Sequence, residues 1–182
     1  SSDVCSSDLS VEYCTYAVAG LHEVNEVLGV LVPAAAGGQP FSVLTPTRLV
    51  DTRQCWTDAV TLTQTCGTIV PAGTVIRVMA PAGASNLFVT VSSIGAASAG
   101  FATVRSCSAL TTPPTTPSVT AVVGGSASNS STVRVGTDGA FCVYVASPMH
   151  VTVDAIGNFS AAGTLRFVMD DPVRVEDTRK PG

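Results

Sequence analysis

The charged residues with the clearest spacing in this sequence are one aspartate and two arginines that occur twice in the same phrase. They stand in "PTRLVDTR" as Arg48, Asp51 and Arg53, and the phrase returns as "PVRVEDTR" at Pro172, 126 residues after Pro46. Side chains two residues apart on a strand point to the same face, so Asp51 and Arg53 can meet. Such a group could hold a strand in place through ion pairs, or it could bind an anion or a sugar.

A second polar pair, His150 and Asp154, lies in "HVTVDAIGNF". These two residues are four apart and also share one face of a strand. We interpret them, with the first trio, as a structural network that fixes the first strand of a domain, because a partly buried charge must be paired. A ligand site built from the same five residues is the alternative.

The structural interpretation makes different predictions for the two copies of the phrase. Asp51 and Arg53 are expected to be buried and paired within their own domain. Asp177 and Arg179 belong to a domain that is cut off, so they are expected to lack those partners.

The sequence carries no complete catalytic motif. "HEVNE" at His22 begins like a zinc-protease helix, but that motif needs a second histidine where Glu26 stands. There is no G-x-S-x-G elbow, no P-loop and no dinucleotide-binding glycine pattern. We therefore predict no catalytic site, no metal site and no cofactor, and we do not class the protein as an enzyme.

Cysteine spacing indicates two disulfides. Cys55 and Cys66 flank a short segment, and Cys107 and Cys142 lie in strand-like runs, which favours these two pairs. The loop-entropy model gives them about 3 and about 4 kcal/mol, respectively. Cys14 would be the copy of Cys142 whose partner lies in a preceding repeat. Zinc is the alternative, but no CxxC pair is present.

An internal repeat explains the two phrases. "YCTYAVAGLHEVNEVLG" from Tyr13 aligns without gaps with "FCVYVASPMHVTVDAIG" from Phe141. In the first copy, Glu23 and Asn25 replace Val151 and Val153, so that copy has lost its apolar face. The predicted divisions are the tail of one repeat (10–32), a linker (33–40), a complete repeat (41–162) and the start of a third (163–182).

Residues 1–9, "SSDVCSSDL", resemble the translation of a short-read sequencing adapter. We treat them as a non-native leader with no packed structure. The sequence would then be a fragment of an environmental gene that lacks its true start.

The remaining pattern predicts an all-β fold, an antiparallel β-sandwich or a barrel-like domain. Short runs rich in Val and Thr are bounded by Gly, Pro, Ser and Asn clusters. Asp138-Gly139 lies between two of these runs and predicts a hairpin. "TTPPTTPS" (111–118) predicts a rigid loop.

Composition excludes some partners. With 46% hydrophobic residues, 12% charged residues and a net charge of −4, the chain can bury a core. Lys180 is the single lysine, so no basic stripe is available for nucleic acid. The longest uncharged apolar run, Val27 to Ala36, is too short for a membrane span.

The phrases "PTRLVDTR" and "VTVDAIGNF" resemble the opening and closing phrases of a family of secreted tandem modules of actinobacteria, P-x-R-x-x-D-T-R and V-V-V-D-V-x-G-Y-F. Asn158 stands where the family's closing Tyr is usual. The resemblance covers residues 41–160 and implies an all-β extracellular domain, found in arrays or joined to cell-wall hydrolases. It also implies cysteines where Cys107 and Cys142 stand, and it implies no reaction.

These observations lead us to expect a non-catalytic extracellular repeat in a stalk or adhesive array on the bacterial cell envelope, with neighbouring repeats as its partners. The alternative is a carbohydrate- or cell-wall-binding module accessory to a catalytic domain outside this chain. Loss of polysaccharide binding on changing Trp56 or Asp51 would favour that alternative. Aromatic residues make up only 5% of the chain, which leaves little for a sugar-stacking surface.

Overall fold

The computed structural model describes residues 2–6, 13–17, 24–33, 35, 37–109 and 112–179. The chain forms two compact units, one from residues 1–39 with 165–182 and the other from residues 40–164. Regular structure is nearly all β, as the sequence predicts. The described residues include no helix with the length and apolar character needed to cross a membrane.

The strands are numbered in chain order. They are β1 (Ser2–Ser6), β2 (Tyr13–Ala17), β3 (Val24–Pro33), β4 (Gln39–Asp51), β5 (Cys55–Asp58), β6 (Gln64–Cys66), β7 (Val75–Met79), β8 (Asn86–Ile94), β9 (Gly100–Arg105), β10 (Val119–Ala121), β11 (Ser126–Arg134), β12 (Ala140–Val145), β13 (His150–Phe159) and β14 (Leu165–Asp177). A 3-10 turn at Cys107–Ala109 follows β9.

The larger unit is one curled antiparallel sheet. Its strand order is β10-β9-β12-β7-β5-β4-β13-β8-β11, with β6 paired to β5. A parallel bridge between Ala96 and Val123 joins segments next to β8 and β10. The sheet is therefore nearly closed, which confirms the predicted all-β class in its barrel-like form.

The core of this unit comes from alternating strand residues. Leu87, Val89 and Val91 of β8, and Val151 and Val153 of β13, have no exposed surface. The residues between them on β8 are partly exposed. This period of two is the reason that the valine-rich runs could be recognised as strands.

The predicted hairpin at Asp138-Gly139 is wrong. A tight turn does form there, with Gly139 at a φ of 72° and a backbone hydrogen bond from Gly136 to Ala140. However, β11 pairs with β8, while β12 pairs with β7 and β9. Turn residues determine where the chain reverses, but the partners of each strand depend on distant contacts.

The smaller unit contains β1 paired with β2 and β3 paired with β14. Ser2–Ser6, within the segment interpreted as a non-native leader, forms strand β1. The backbone register places Cys5 opposite Cys14. The altered first copy of the closing phrase forms a strand, because β3 pairs along most of its length with β14.

Two disulfides join the predicted cysteine pairs in the larger unit. Cys55 and Cys66 lie opposite each other on β5 and β6, with Cα atoms 4.0 Å apart. Cys107 and Cys142 have Cα atoms 5.0 Å apart and join the 3-10 turn to β12. The Cys107–Cys142 separation lies within the usual range for disulfides, and the Cys55–Cys66 separation lies slightly below it.

Candidate functional site

The antiparallel pairing of β4 with β13 brings four of the five predicted polar residues together. Arg48 lies opposite Asp154 in the ladder, and Asp51 lies opposite Thr152. Arg53 is in the turn after β4, and its side chain folds back toward Asp51. We call Arg48, Asp51, Arg53 and Asp154 the first clamp.

Asp51 is the centre of the first clamp. Its Oδ1 accepts hydrogen bonds from the backbone N of Arg53 at 3.1 Å and from Arg53 Nε at 2.9 Å. Its Oδ2 accepts hydrogen bonds from Arg53 Nη2 at 2.6 Å and Arg48 Nη1 at 3.0 Å. Arg48 Nε donates to Asp154 Oδ1 at 2.6 Å across the ladder. The clamp therefore ties the end of β4 both to its following turn and to β13.

Burial in the first clamp is unequal. The Asp51 side chain is 10% exposed, whereas those of Arg48 and Arg53 are 46% and 51% exposed. Hydrogen bonds from the Arg53 guanidinium lower the pKa of Asp51 to about 2. Bonds to Asp154 and Asp51 raise the pKa of Arg48 and Arg53, respectively. Both predicted residues are paired, and the Asp51 side chain is largely covered, but Arg53 is half-exposed and not buried as predicted.

His150 lies beside the first clamp and contacts a residue that the sequence reasoning missed. Its Nδ1 is 3.3 Å from the hydroxyl oxygen of Thr52. Thr52 is fully buried, and its hydroxyl accepts a hydrogen bond from the backbone N of Val151 at 2.8 Å. The threonine recurs in both D-T-R phrases, which could have indicated Thr52 as a member of the site, since a buried hydroxyl needs a hydrogen-bond partner.

The prediction that the second copy of the phrase lacks partners is wrong. Asp177 accepts hydrogen bonds from Arg179 Nε at 2.7 Å and Arg174 Nη1 at 3.1 Å. Arg174 Nη2 donates to Glu26 Oε1 of β3 at 2.7 Å. We call Glu26, Arg174, Asp177 and Arg179 the second clamp. Asp177 is 5% exposed, and hydrogen bonds from Arg179 lower its pKa.

Glu26 occupies the position of Asp154 in the internal alignment, so each acidic partner comes from a copy of the closing phrase. The ladder registers also agree. Arg174 faces Glu26 as Arg48 faces Asp154, and Met169 faces Gly29 as Val43 faces Gly157. The repeat alignment already placed Glu26 at the position of Asp154. Predicting its ion pair with Arg174 from the sequence would have required the assumption that strands of different repeats can pair.

A second feature recurs in both ladders, a phenylalanine ring over a glycine. A Cβ atom added to Gly157 would overlap the ring of Phe41, and one added to Gly29 would overlap the backbone oxygen of Val168 and the ring of Phe167. Phe41 is 4% exposed and also packs edge-on against Phe159, with ring centroids 4.8 Å apart. Each glycine leaves the space that its facing ring fills.

The clamps are suited to holding strands together more than to chemistry. Asp51 already accepts four hydrogen bonds in the first clamp. Trp56 is 8% exposed in the core, where its Nε1 lies 3.4 Å from the carbonyl oxygen of Thr68, so it is not a sugar-stacking surface. Among the described residues, no three His, Cys, Asp or Glu side chains are grouped to hold a metal.

An open cavity of about 540 Å³ lies elsewhere on the larger unit. Its lining includes Ser106, Ser108, Arg134 and Thr137. Asp138 also lines it and is paired with Arg77 at 2.7 Å. Hydroxyl groups and an exposed arginine give this cavity the donors and acceptors that a polar ligand needs.

Neither a protein-family model, nor a curated protein, nor a solved structure matches this chain.

Proposed function

We propose that this chain is part of a non-catalytic extracellular β-repeat array with a structural or adhesive role on the bacterial cell envelope. The observation that carries the proposal is the recurrence of one joint, an opening strand paired with a closing strand in the same register, with a clamp and a phenylalanine over a glycine. A modular assembly is expected to repeat the same strand pairing, as this chain does.

The connections between the strands support an array. The segment from Pro33 to Gln39 leads from a closing strand to an opening strand, and the segment from Phe159 to Leu165 does the same at the same length. The two disulfides are compatible with an oxidising extracellular compartment, where such bonds persist.

A series of tandem chains tests the array. Residues 40–165 would be repeated one, two and four times in one polypeptide, and small-angle scattering would measure the maximum dimension. We expect each added repeat to lengthen the particle by a constant amount. A compact particle whose radius grows only as the cube root of its mass would contradict an array.

Protease treatment of intact cells that carry the gene should release the chain if it lies on the envelope.

The cavity favours the second candidate function, a carbohydrate- or cell-wall-binding module. Its hydroxyl groups and Arg134 could bind sugar hydroxyls or an anionic group. Co-sedimentation with insoluble cell-wall polysaccharide would measure binding of the wild-type chain and of Arg134→Ala. Saturable binding that Arg134→Ala abolishes would favour the module. Arg105→Ala, which removes another arginine of the same unit, is the matched control.

A further inference from the structure

Two segments line the cavity on the larger unit, and a disulfide fixes the first of them. Ser106 and Ser108 line the cavity from the segment that follows β9. Cys107 stands between them, and its disulfide to Cys142 ties this segment to β12. The two serine hydroxyl oxygens lie 3.2 Å apart. This side of the cavity therefore presents two adjacent hydroxyl groups on a fixed segment.

The second segment runs from the end of β11 into the turn before β12. Arg134, Thr137 and Asp138 line the cavity from this segment. Arg77 Nη2 of β7 lies 2.7 Å from Asp138 Oδ2, and this hydrogen bond holds the pKa of Asp138 below its usual value. Asp138 therefore stays ionised, and together with Arg77 it adds no net charge to the cavity.

Arg134 differs from the other arginines of the larger unit. Residues 40–164 contain five arginines and no lysine. The other four arginines donate to described acceptors, namely Asp51 and Asp154 for Arg48, Asp51 for Arg53, Asp138 for Arg77 and the carbonyl oxygen of Thr112 for Arg105. Within the part of the chain that the structure describes, the Arg134 side chain has no such partner.

The carboxylates of the larger unit are also occupied. Residues 40–164 contain four aspartates and no glutamate. Asp51, Asp138 and Asp154 pair with other arginines. Asp58 accepts hydrogen bonds from two backbone amide groups of its own loop. Arg134 is therefore the uncompensated cation among the described residues of this unit, and it lines the cavity.

We propose that the cavity binds an acidic polysaccharide, whose carboxylate or phosphate group pairs with Arg134. Sugar hydroxyls beside this group bond to the hydroxyls of Ser106, Ser108 and Thr137. This assignment narrows the second candidate function and rests on it. A guanidinium donates two parallel hydrogen bonds, which match the paired oxygens of a carboxylate or a phosphate. Serine and threonine hydroxyls both donate and accept, as sugar hydroxyls require of their partners.

The cavity lining also predicts how binding responds to salt. In the described part of the chain, the lining contains no aromatic side chain on which a sugar ring could stack. Binding then depends on the ionic contact, and salt screens that contact because Arg134 is exposed. We expect the affinity for an acidic probe to fall as the ionic strength rises.

Calorimetric titration of the full chain tests the charge of the ligand. The probes are a tetramer of galacturonic acid, the methyl ester of the same tetramer, and a tetramer of glycerol phosphate. The ester lacks the charge of the acid, and the third probe offers phosphate in place of carboxylate. We expect an anionic probe to bind, and the ester to bind roughly tenfold more weakly than the better anionic probe. Failure of both anionic probes, or equal binding of the ester, would overturn the proposal.

Variants of the full chain test the role of Arg134. Arg134→Gln removes the charge and keeps a side chain of similar length, so the Kd of the anionic probe should rise roughly tenfold and depend less on salt. Arg134→Lys should retain part of the affinity. Arg105→Gln removes a charge of the same unit outside the cavity lining and is the matched control. An unchanged Kd for Arg134→Gln, or an equal rise for Arg105→Gln, would overturn the proposal.

A second measurement needs no variant. In nuclear magnetic resonance spectra of the labelled wild-type chain, the anionic probe should shift the amide signals of residues 106–108 and 134–138. Shifts confined to other residues would overturn the proposed site. If the acid and the ester shifted these signals at equal affinity, the anionic ligand would be refuted while the carbohydrate-binding module would stand. The two failures are therefore distinguishable.

Discussion

Asp51 and Asp177 have nearly the same environment, since the side chain of each is largely covered and is paired with two half-exposed arginines. We expect Asp51→Asn to destabilise the larger unit by about 1–3 kcal/mol, because an amide group replaces one oxygen that accepts charged hydrogen bonds. Asp177→Asn should loosen the ladder of β3 with β14. Hydrogen exchange followed by mass spectrometry would read the two units separately.

The two variants are matched controls for each other. Each should change exchange mainly in its own ladder. If Asp177→Asn left the protection of β3 unchanged, the second clamp would not contribute to holding that ladder together.

Acid should weaken the larger unit through Asp51. Its folded-state pKa of about 2 lies below its ordinary value of 3.8, so the unfolded chain binds the proton more readily. The stabilisation is complete above about pH 5 and is lost as the pH falls toward 2. It is on the order of 1 kcal/mol after allowance for solvent screening by the exposed arginines. Urea unfolding at several pH values should show that acid lowers the free energy of unfolding less for Asp51→Asn than for the wild type. Equal decreases would contradict the role of Asp51 protonation.

At the residue scale, the sequence was sufficient to bring Arg48, Asp51, Arg53 and Asp154 into one group. Their spacing on two strands determines which faces they share. The sequence reasoning missed Glu26, because its pairing with Arg174 depends on which distant strand lies next to β14. Such long-range register is not encoded in local spacing.

At the element scale, the β4–β13 ladder depends on the space that Gly157 leaves for Phe41. We expect Gly157→Ala to cost about 1–3 kcal/mol, since the added methyl group overlaps a buried ring. Chemical denaturation would measure the loss. Phe41→Leu combined with Gly157→Ala should cost less than the sum of the single variants, because the smaller side chain leaves room. Additive losses would show that the ring and the glycine are independent.

Strand positions were predictable where valine and threonine alternate. His150–Phe159 was recognised in full as a strand from its pattern. The hairpin at Asp138-Gly139 failed because its two flanking strands bond to different neighbours. Local sequence therefore indicated strands and turns, whereas the sheet order depends on which distant strands pair.

At the scale of the whole molecule, the two disulfides should contribute different amounts to the free energy of unfolding. Cys107→Ala with Cys142→Ala removes a link that spans 35 residues and should cost about 4 kcal/mol. Cys55→Ala with Cys66→Ala removes one that spans 11 residues and should cost about 3 kcal/mol. Guanidinium unfolding of the two double variants would compare them. A larger loss for the shorter loop would contradict the chain-entropy account.

The position of Phe41 opposite Phe159 has a mechanical consequence. Both connections of the larger unit leave from this end of the ladder, so tension along the chain pulls β4 and β13 apart sideways and opens their hydrogen bonds one after another. Optical tweezers attached at residues 39 and 160 should unfold the unit at lower force than attachment at residues 39 and 150, which loads the same ladder in shear. Unfolding should release on the order of 270 Å of chain with the disulfides intact and roughly 420 Å after reduction. A higher force for the first attachment would contradict serial opening. An envelope array of such units would lengthen under load, and its redox state would determine how far.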